Sequence, residues 1–225
     1  MVIGVNGSPR KQWNTYKMVD SALKGASEMG AETKMYNLYD LTYKGCTSCF
    51  SCLKLGGKSH GRCAMRDDLT QVLDDILAAD AVIIGSPVYF GNVSSGIQAL
   101  CERLWYAGLA YDETHQLLYT RRIPVKIIFV TGVPEESSHK TLNESFVGTM
   151  SWIIGPTELI EANGVWQFDD YSKYDAAMFD VEERRKRHEE VFPLDLQRAY
   201  EMGRRAVDES KGSKKTSFER KESEQ

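Results

Sequence analysis

The chain has 225 residues, 42% of them apolar, enough for one large domain with a buried core. Twenty-eight basic side chains against thirty-two acidic ones leave a formal charge of −4, which excludes the basic footprint of a nucleic-acid binder. No stretch approaches the ~18 apolar residues of a membrane-spanning helix, and the opening MVIGVNGSPR breaks at glycine too early for a signal peptide, so a cytoplasmic protein is expected.

Residues 2–6 form a short apolar run that ends in the loop GSPRKQWNT. An amphipathic helix follows, with Val19, Ala22, Leu23 and Ala26 on one stripe. Strand, polar glycine loop and helix N-terminus in series make an anion site, because the first amides and the positive end of the helix dipole face the loop. Ser8, Asn14 and Thr15 add side-chain donors, and Arg10 adds a charge. The loop lacks both the Gly-Lys-Ser/Thr ending of a Walker motif and the dinucleotide GxGxxG spacing. The competing reading is a plain helix cap at Asn14 or Thr15.

Residues 33–36 read as an edge strand. The segment GCTSCFSCLKLGGKSHGRC, residues 45–63, then holds four of the five cysteines: Cys46, Cys49 and Cys52 at two-residue intervals, and Cys63 after ten more. Thiolates so spaced can surround one iron–sulfur cluster, which takes cysteine sulfur on every iron. Zinc is the rival, although its usual form is two CxxC pairs set well apart. Reduced surface thiols or a CxxC redox pair are the remaining alternative. In a chain of this length and expected location, five cysteines argue for metal or redox chemistry over a disulfide framework.

Asp67 and Asp68 open a helix with Leu69, Val72, Leu73, Ile76 and Leu77 on one face. Residues 81–84, apolar throughout, read as a central strand covered on both faces. The following loop carries Pro87, Val88, Tyr89, Phe90, Gly91 and Asn92, an aromatic pair flanked by proline and glycine. The carboxyl end of a buried strand is where open α/β sheets place ligands, although aromatics there equally well plug the edge of a core. In the helix at 97–106, Cys101 sits among apolar neighbours as a small buried hydrophobe. Residues 107–122 form a polar excursion. A strand follows at 123–130, interrupted only by Lys126 and ending at Thr131 and Gly132; then come a helix at 142–154 and a last strand at 157–162. Five strands separated by helices imply a doubly wound parallel α/β sheet with right-handed crossovers. The expected layout is a main domain over 1–165 containing the cysteine insertion, a C-terminal helical extension over 166–209, and a flexible tail over 210–225.

With these pieces in order, the sequence resembles the iron–sulfur flavoprotein group of the NADPH-dependent FMN reductase family. The resemblance rests on GSPRKQWNT, the CxxCxxC…C stretch and SPVYFGNVSSGIQALCERL, with a fainter echo from residue 169 onward. It implies a flavodoxin-like fold with strand order 2-1-3-4-5. It also implies an FMN whose phosphate sits on Ser8, Arg10, Asn14 and Thr15. The isoalloxazine ring would lie against Pro87, Val88, Tyr89, Phe90, Gly91 and Asn92, and the pyrimidine edge near Thr131 and Gly132. One 4Fe–4S cluster would be held by Cys46, Cys49, Cys52 and Cys63. The implied assembly is a homodimer or homotetramer. The gap before Cys63 is longer than the group's usual spacing, and residues 133–140 lack its glycine richness.

The function expected from the resemblance is an electron-transferring flavin oxidoreductase, with a ferredoxin-type donor, a cluster, FMN and a small-molecule acceptor. The alternative is a cluster-free NAD(P)H-dependent FMN or quinone reductase. A non-catalytic redox sensor or zinc-bound scaffold is the third. His60, His115, His139 and His188 are given no catalytic part, because cofactors carry this chemistry.

Overall fold

The computed structural model describes the backbone of residues 1–113, 115, 117–134 and 136–222, and side chains as far as Gly212 except those of Glu136 and Ser137. Among the described residues six strands form, β1 (Val2–Asn6), β2 (Thr33–Asn37), β3 (Ala81–Tyr89), β4 (Asn92–Val93), β5 (Val125–Val130) and β6 (Thr157–Ala162). The α-helices of the described residues are α1 (Asn14–Glu28), α2 (Leu69–Ala78), α3 (Ser95–Gly108), α4 (Lys140–Ile153), α5 (Val181–Glu190) and α6 (Phe192–Glu222). None of the described helices is long and apolar enough to cross a membrane.

The sheet runs β2-β1-β3-β5-β6 with every neighbour parallel, which is the expected 2-1-3-4-5 order of its five long strands. The extra strand β4 was not anticipated. It turns back antiparallel on the end of β3 through Phe90 and Gly91, so Tyr89 faces Asn92. Because side chains alternate along a strand, the sheet feeds two cores. Ile3, Val5, Val82, Ile84, Ile127 and Phe129 pack on α2, α3 and α4. Val2, Ala81, Ile83, Ile128 and Val130 face α1 and α6 on the other side.

Helix α6 therefore does more than extend the main domain. Phe192, Ala199, Met202, Ala206 and Val207 complete the second core, and α6 lies directly on α1. The crossing depends on two glycines. A Cβ on Gly25 would stand 2.0 Å from the Tyr200 carbonyl oxygen, and one on Gly203 1.8 Å from that of Ala22. The segment expected as a tail from residue 210 begins inside α6, whose backbone stays helical to Glu222; residues 223–225 lie outside the described residues.

Lys126, the one break in its apolar strand, is buried. It reaches Glu158 on β6 and Glu209 on α6, each at 2.7 Å. Burial pushes the Glu158 carboxyl up, but hydrogen bonds from Arg205 and Lys126 outweigh it and hold the group below the usual range. A buried lysine is tolerated only when so paired, and this pairing ties α6 to the far edge of the sheet.

Candidate functional site

The loop after β1 is fastened from both sides. Gly7 donates its N–H to the Gly85 carbonyl at 2.8 Å, and its own carbonyl accepts from Ser94 Oγ at 2.7 Å. No side chain fits at Gly7, since a Cβ would meet Ile97 of α3 at 2.2 Å. Asn6 Oδ1 accepts from the Ser8 amide, and Ser8 Oγ from the Arg10 amide, both at 3.1 Å. Helix α1 starts at Asn14 behind Trp13, which supplies no side-chain cap. Asn14 and Thr15 therefore do not cap α1, and its first-turn amides face the loop without a side-chain acceptor.

Ser8, Asn14 and Thr15 are buried together, and the Arg10 guanidinium lies 4.0 Å over the Trp13 ring. Two of these donors meet the start of the expected C-terminal helical extension, which is not helical at Trp166 and Gln167. Asn14 Nδ2 donates to the Trp166 carbonyl at 2.7 Å, and Arg10 donates to that of Gln167. Trp166 and Gln167 thus form a strap over the cradle. It is braced by Tyr171, whose ring meets Trp166 at 4.7 Å and whose hydroxyl accepts from the Gln167 amide at 3.1 Å. The aromatic, aperiodic composition of residues 165–174 was the available signal.

The strap ends over the loop after β5. A Cβ on Gly132 would strike the Gln167 side-chain amide at 2.3 Å. Thr131 Oγ1 is engaged internally, 3.1 Å from His139 Nε2, and accepts from the Val133 amide. A cavity of about 650 Å³ opens here, lined by Val88, Thr131, Gly132, Gln167, Arg184 and Arg187 among others.

Pro87 and Val88 continue β3 as buried residues, whereas Tyr89 is half-exposed and Phe90 fully exposed. The aromatic pair does not plug a core. Phe90 and Gly91 both have positive φ, 50° and 74°, as a two-residue type I′ turn demands. Phenylalanine is strained there, while Asn-Gly is the favoured pair. Phe90→Asn should therefore raise stability by about 1 kcal/mol, read as a melting temperature about 2–4 °C higher. An unchanged or lower melting temperature would refute the turn.

The four cysteines of the 45–63 segment share one pocket wall. Cys46, Cys49, Cys52 and Cys63 line one small pocket together with Ser48, Phe50, Met65, Arg103 and Tyr106. Among the described residues neither a carboxylate nor a histidine joins its wall, and His60 is exposed outside it. Ser48 and Phe50 have positive φ, 53° and 52°, which curls the chain between the first three cysteines. The Ser48 amide points at Cys46 Sγ at 3.4 Å. Hydrogen bonds from Ser51 hold the Cys49 thiol below its ordinary value, while burial, reinforced by the three neighbouring thiols, pushes Cys52 up. All five cysteines are free, and Cys101 is wholly buried in α3. Among the described residues no group of three or more His, Cys, Asp or Glu side chains is arranged for a metal ion.

Sequence reasoning missed Arg103. Its side chain has no exposed surface, yet Nε donates to Cys63 Sγ at 3.3 Å and Nη1 grips both oxygens of Asp67 at 2.7 and 2.8 Å. The one signal was a charge at the core-facing spacing of α3, three residues after Leu100.

Residues 1–122 match the family model described as NADPH-dependent FMN reductase. An iron–sulfur flavoprotein of Methanocaldococcus jannaschii is 40% identical over 102 residues, 45% of this chain and 50% of that one. One of Methanosarcina thermophila is 32% identical over 102 residues, 45% of this chain and 51% of that one. The chain spans about half the length of the curated relatives it matches. Among solved structures, the NAD(P)H:quinone oxidoreductase from Methanothermobacter marburgensis superposes with a TM-score of 0.66 at 16% identity, covering 90% of this chain and 96% of its own. An azoreductase from Bacillus anthracis gives 0.62 at 15%, covering 91% and 98%. These likenesses establish a flavodoxin-like fold.

Proposed function

The chain belongs to the NADPH-dependent FMN reductase family, and on that footing we propose that it is a flavin-dependent oxidoreductase with FMN across the three loops and a 4Fe–4S cluster on Cys46, Cys49, Cys52 and Cys63. The carrying observation is the pocket itself: four cysteine thiols line it, with no carboxylate or imidazole among the described residues of its wall. An iron–sulfur cluster asks for that donor set.

The cradle fits the phosphate of FMN equally well. Ser8, Asn14 and Thr15 are buried polar side chains beside an uncapped helix start. Arg10 and Asn14 each spend one N–H on the strap, which aims them and leaves further N–H groups for an anion. Pro87, Val88, Tyr89, Phe90, Gly91 and Asn92 present a flat, half-apolar wall to a ring, and Thr131 and Gly132 present its opposite edge. Bound FMN and cluster supply hydride and single-electron chemistry; the protein positions them and keeps water out. The reductant is a ferredoxin-type protein or NAD(P)H, and the acceptor is a small molecule. A second cavity, of about 490 Å³, opens beside Cys46 between Trp105, Tyr106, Tyr111 and Trp152. A donor protein or a second copy in a homodimer or homotetramer would approach there.

The cluster-free NAD(P)H-dependent FMN or quinone reductase remains the second reading. Its support is the family model over residues 1–122, described as NADPH-dependent FMN reductase. An anaerobic visible spectrum with flavin, iron, sulfide and zinc counts per chain separates the readings. Flavin with iron and sulfide in 4Fe–4S proportion is expected. Flavin alone would favour the second reading, and zinc without iron would leave a scaffold.

A further inference from the structure

We infer that Arg103 is a positioning residue for the fourth cluster ligand, fixing Cys63 in place and drawing negative charge from its sulfur. The inference rests on the cluster reading above and adds a residue to it. Burying a guanidinium is costly unless every face is satisfied, and here each face has a partner. Besides Asp67 and Cys63 Sγ, it donates to the Lys44 carbonyl at 3.2 Å and the Met65 carbonyl at 3.4 Å. These partners are not scattered. Lys44 stands just before the cysteine segment, and Met65 and Asp67 stand just after it. One side chain on a rigid helix therefore closes both ends of residues 45–63.

Cys63 needs such a clasp. The ten residues before it include Gly56, Gly57 and Gly61, the first and last at φ of 69° and 74°, a loop with little of its own to place a sulfur. The neighbouring Glu102 holds the other end, accepting from the Cys46 amide at 3.3 Å. Adjacent residues of α3 thus grip the first and last cysteines with opposite charges.

The chemistry distinguishes a tuning role from a packing one. Arg103 and Asp67 form a neutral pair, and a hydrocarbon of similar bulk often replaces such a pair without loss of stability. A hydrocarbon cannot donate Nε–H to sulfur. Hydrogen bonds to the ligand sulfurs are among the factors that set a cluster's reduction potential, because they stabilise the more negative, reduced form.

The test compares wild type, Arg103→Lys and the double variant Arg103→Met with Asp67→Asn, each reconstituted under nitrogen with iron and sulfide. The readouts are iron and flavin per chain, melting temperature and the cluster midpoint potential by spectroscopic titration. The double variant should bind flavin at the wild-type ratio but retain several-fold less iron, and any cluster it keeps should titrate at a more negative potential. Arg103→Lys, with a point charge in place of a fork, should fall between. Full iron at an unchanged potential in either variant would overturn the inference while leaving the cluster reading intact. Iron-free wild-type protein would overturn both.

Discussion

Gly203→Ala should lower the melting temperature by roughly 10 °C. The added methyl would stand 1.8 Å from the Ala22 carbonyl oxygen, and it meets backbone, not the yielding end of a side chain. Either α6 lifts away from α1 or the turn holding Ala22 distorts. Lifting exposes Ala199, Met202 and Ala206, all fully buried. Overpacking usually costs about 1–3 kcal/mol, and more where nothing can yield. We expect about 3–5 kcal/mol, a large share of the about 5–15 kcal/mol that holds a domain folded. Gly148→Ala is the control. It lies within α4 with nothing within 4 Å of a new Cβ, so helix propensity alone should stabilise by about 0.5–1 kcal/mol. Gly203→Ala melting with the wild type would mean that the two helices do not cross where the structure puts them.

The second large effect concerns iron. Cys49→Ala should remove nearly all of the broad visible absorption of the reconstituted protein and leave the flavin count unchanged. Cys49 is the exposed member of the four, so its replacement disturbs little packing, and loss of iron would report ligation directly. Cys101→Ala should do the reverse. That buried thiol, pushed far up by its surroundings, belongs to the core, so stability falls by about 1–2 kcal/mol while the absorption stays. A Cys49→Ala protein that stays brown would refute the ligand set.

The parts legible in the sequence are those with a local signal. The apolar runs at β1, β3 and β5, the stripes of α1 and α2, and the glycine and proline loops at strand ends each announce themselves within a dozen residues. The cysteine spacing likewise anticipates the shared pocket. What escaped depends on partners far along the chain. Lys126 looks like an interruption until Glu158 and Glu209 arrive beside it. Arg103 reads as a surface charge until Lys44, Cys63 and Asp67 close round it. The strap at Trp166 and Gln167 has no periodicity, because it is held by Arg10, Asn14 and Tyr171 and not by its own hydrogen-bond ladder. Helix α6 showed helical spacing, but nothing in it said that Gly203 would meet Ala22.

One rod, α3, connects the two candidate centres. Ser94 at its head pins Gly7, Glu102 and Arg103 hold Cys46 and Cys63, and the Tyr106 carbonyl faces Cys52 Sγ at 3.7 Å. From Ser94 to Arg103 such a rod advances about 14 Å. On the proposed reading, with a flavin at one end and a cluster at the other, the residue count of this single helix would set their separation. One residue inserted between Ser95 and Cys101 would swing every sulfur-gripping side chain by about 100° around the axis. A change of length in this span would move the sulfur grips relative to Gly7.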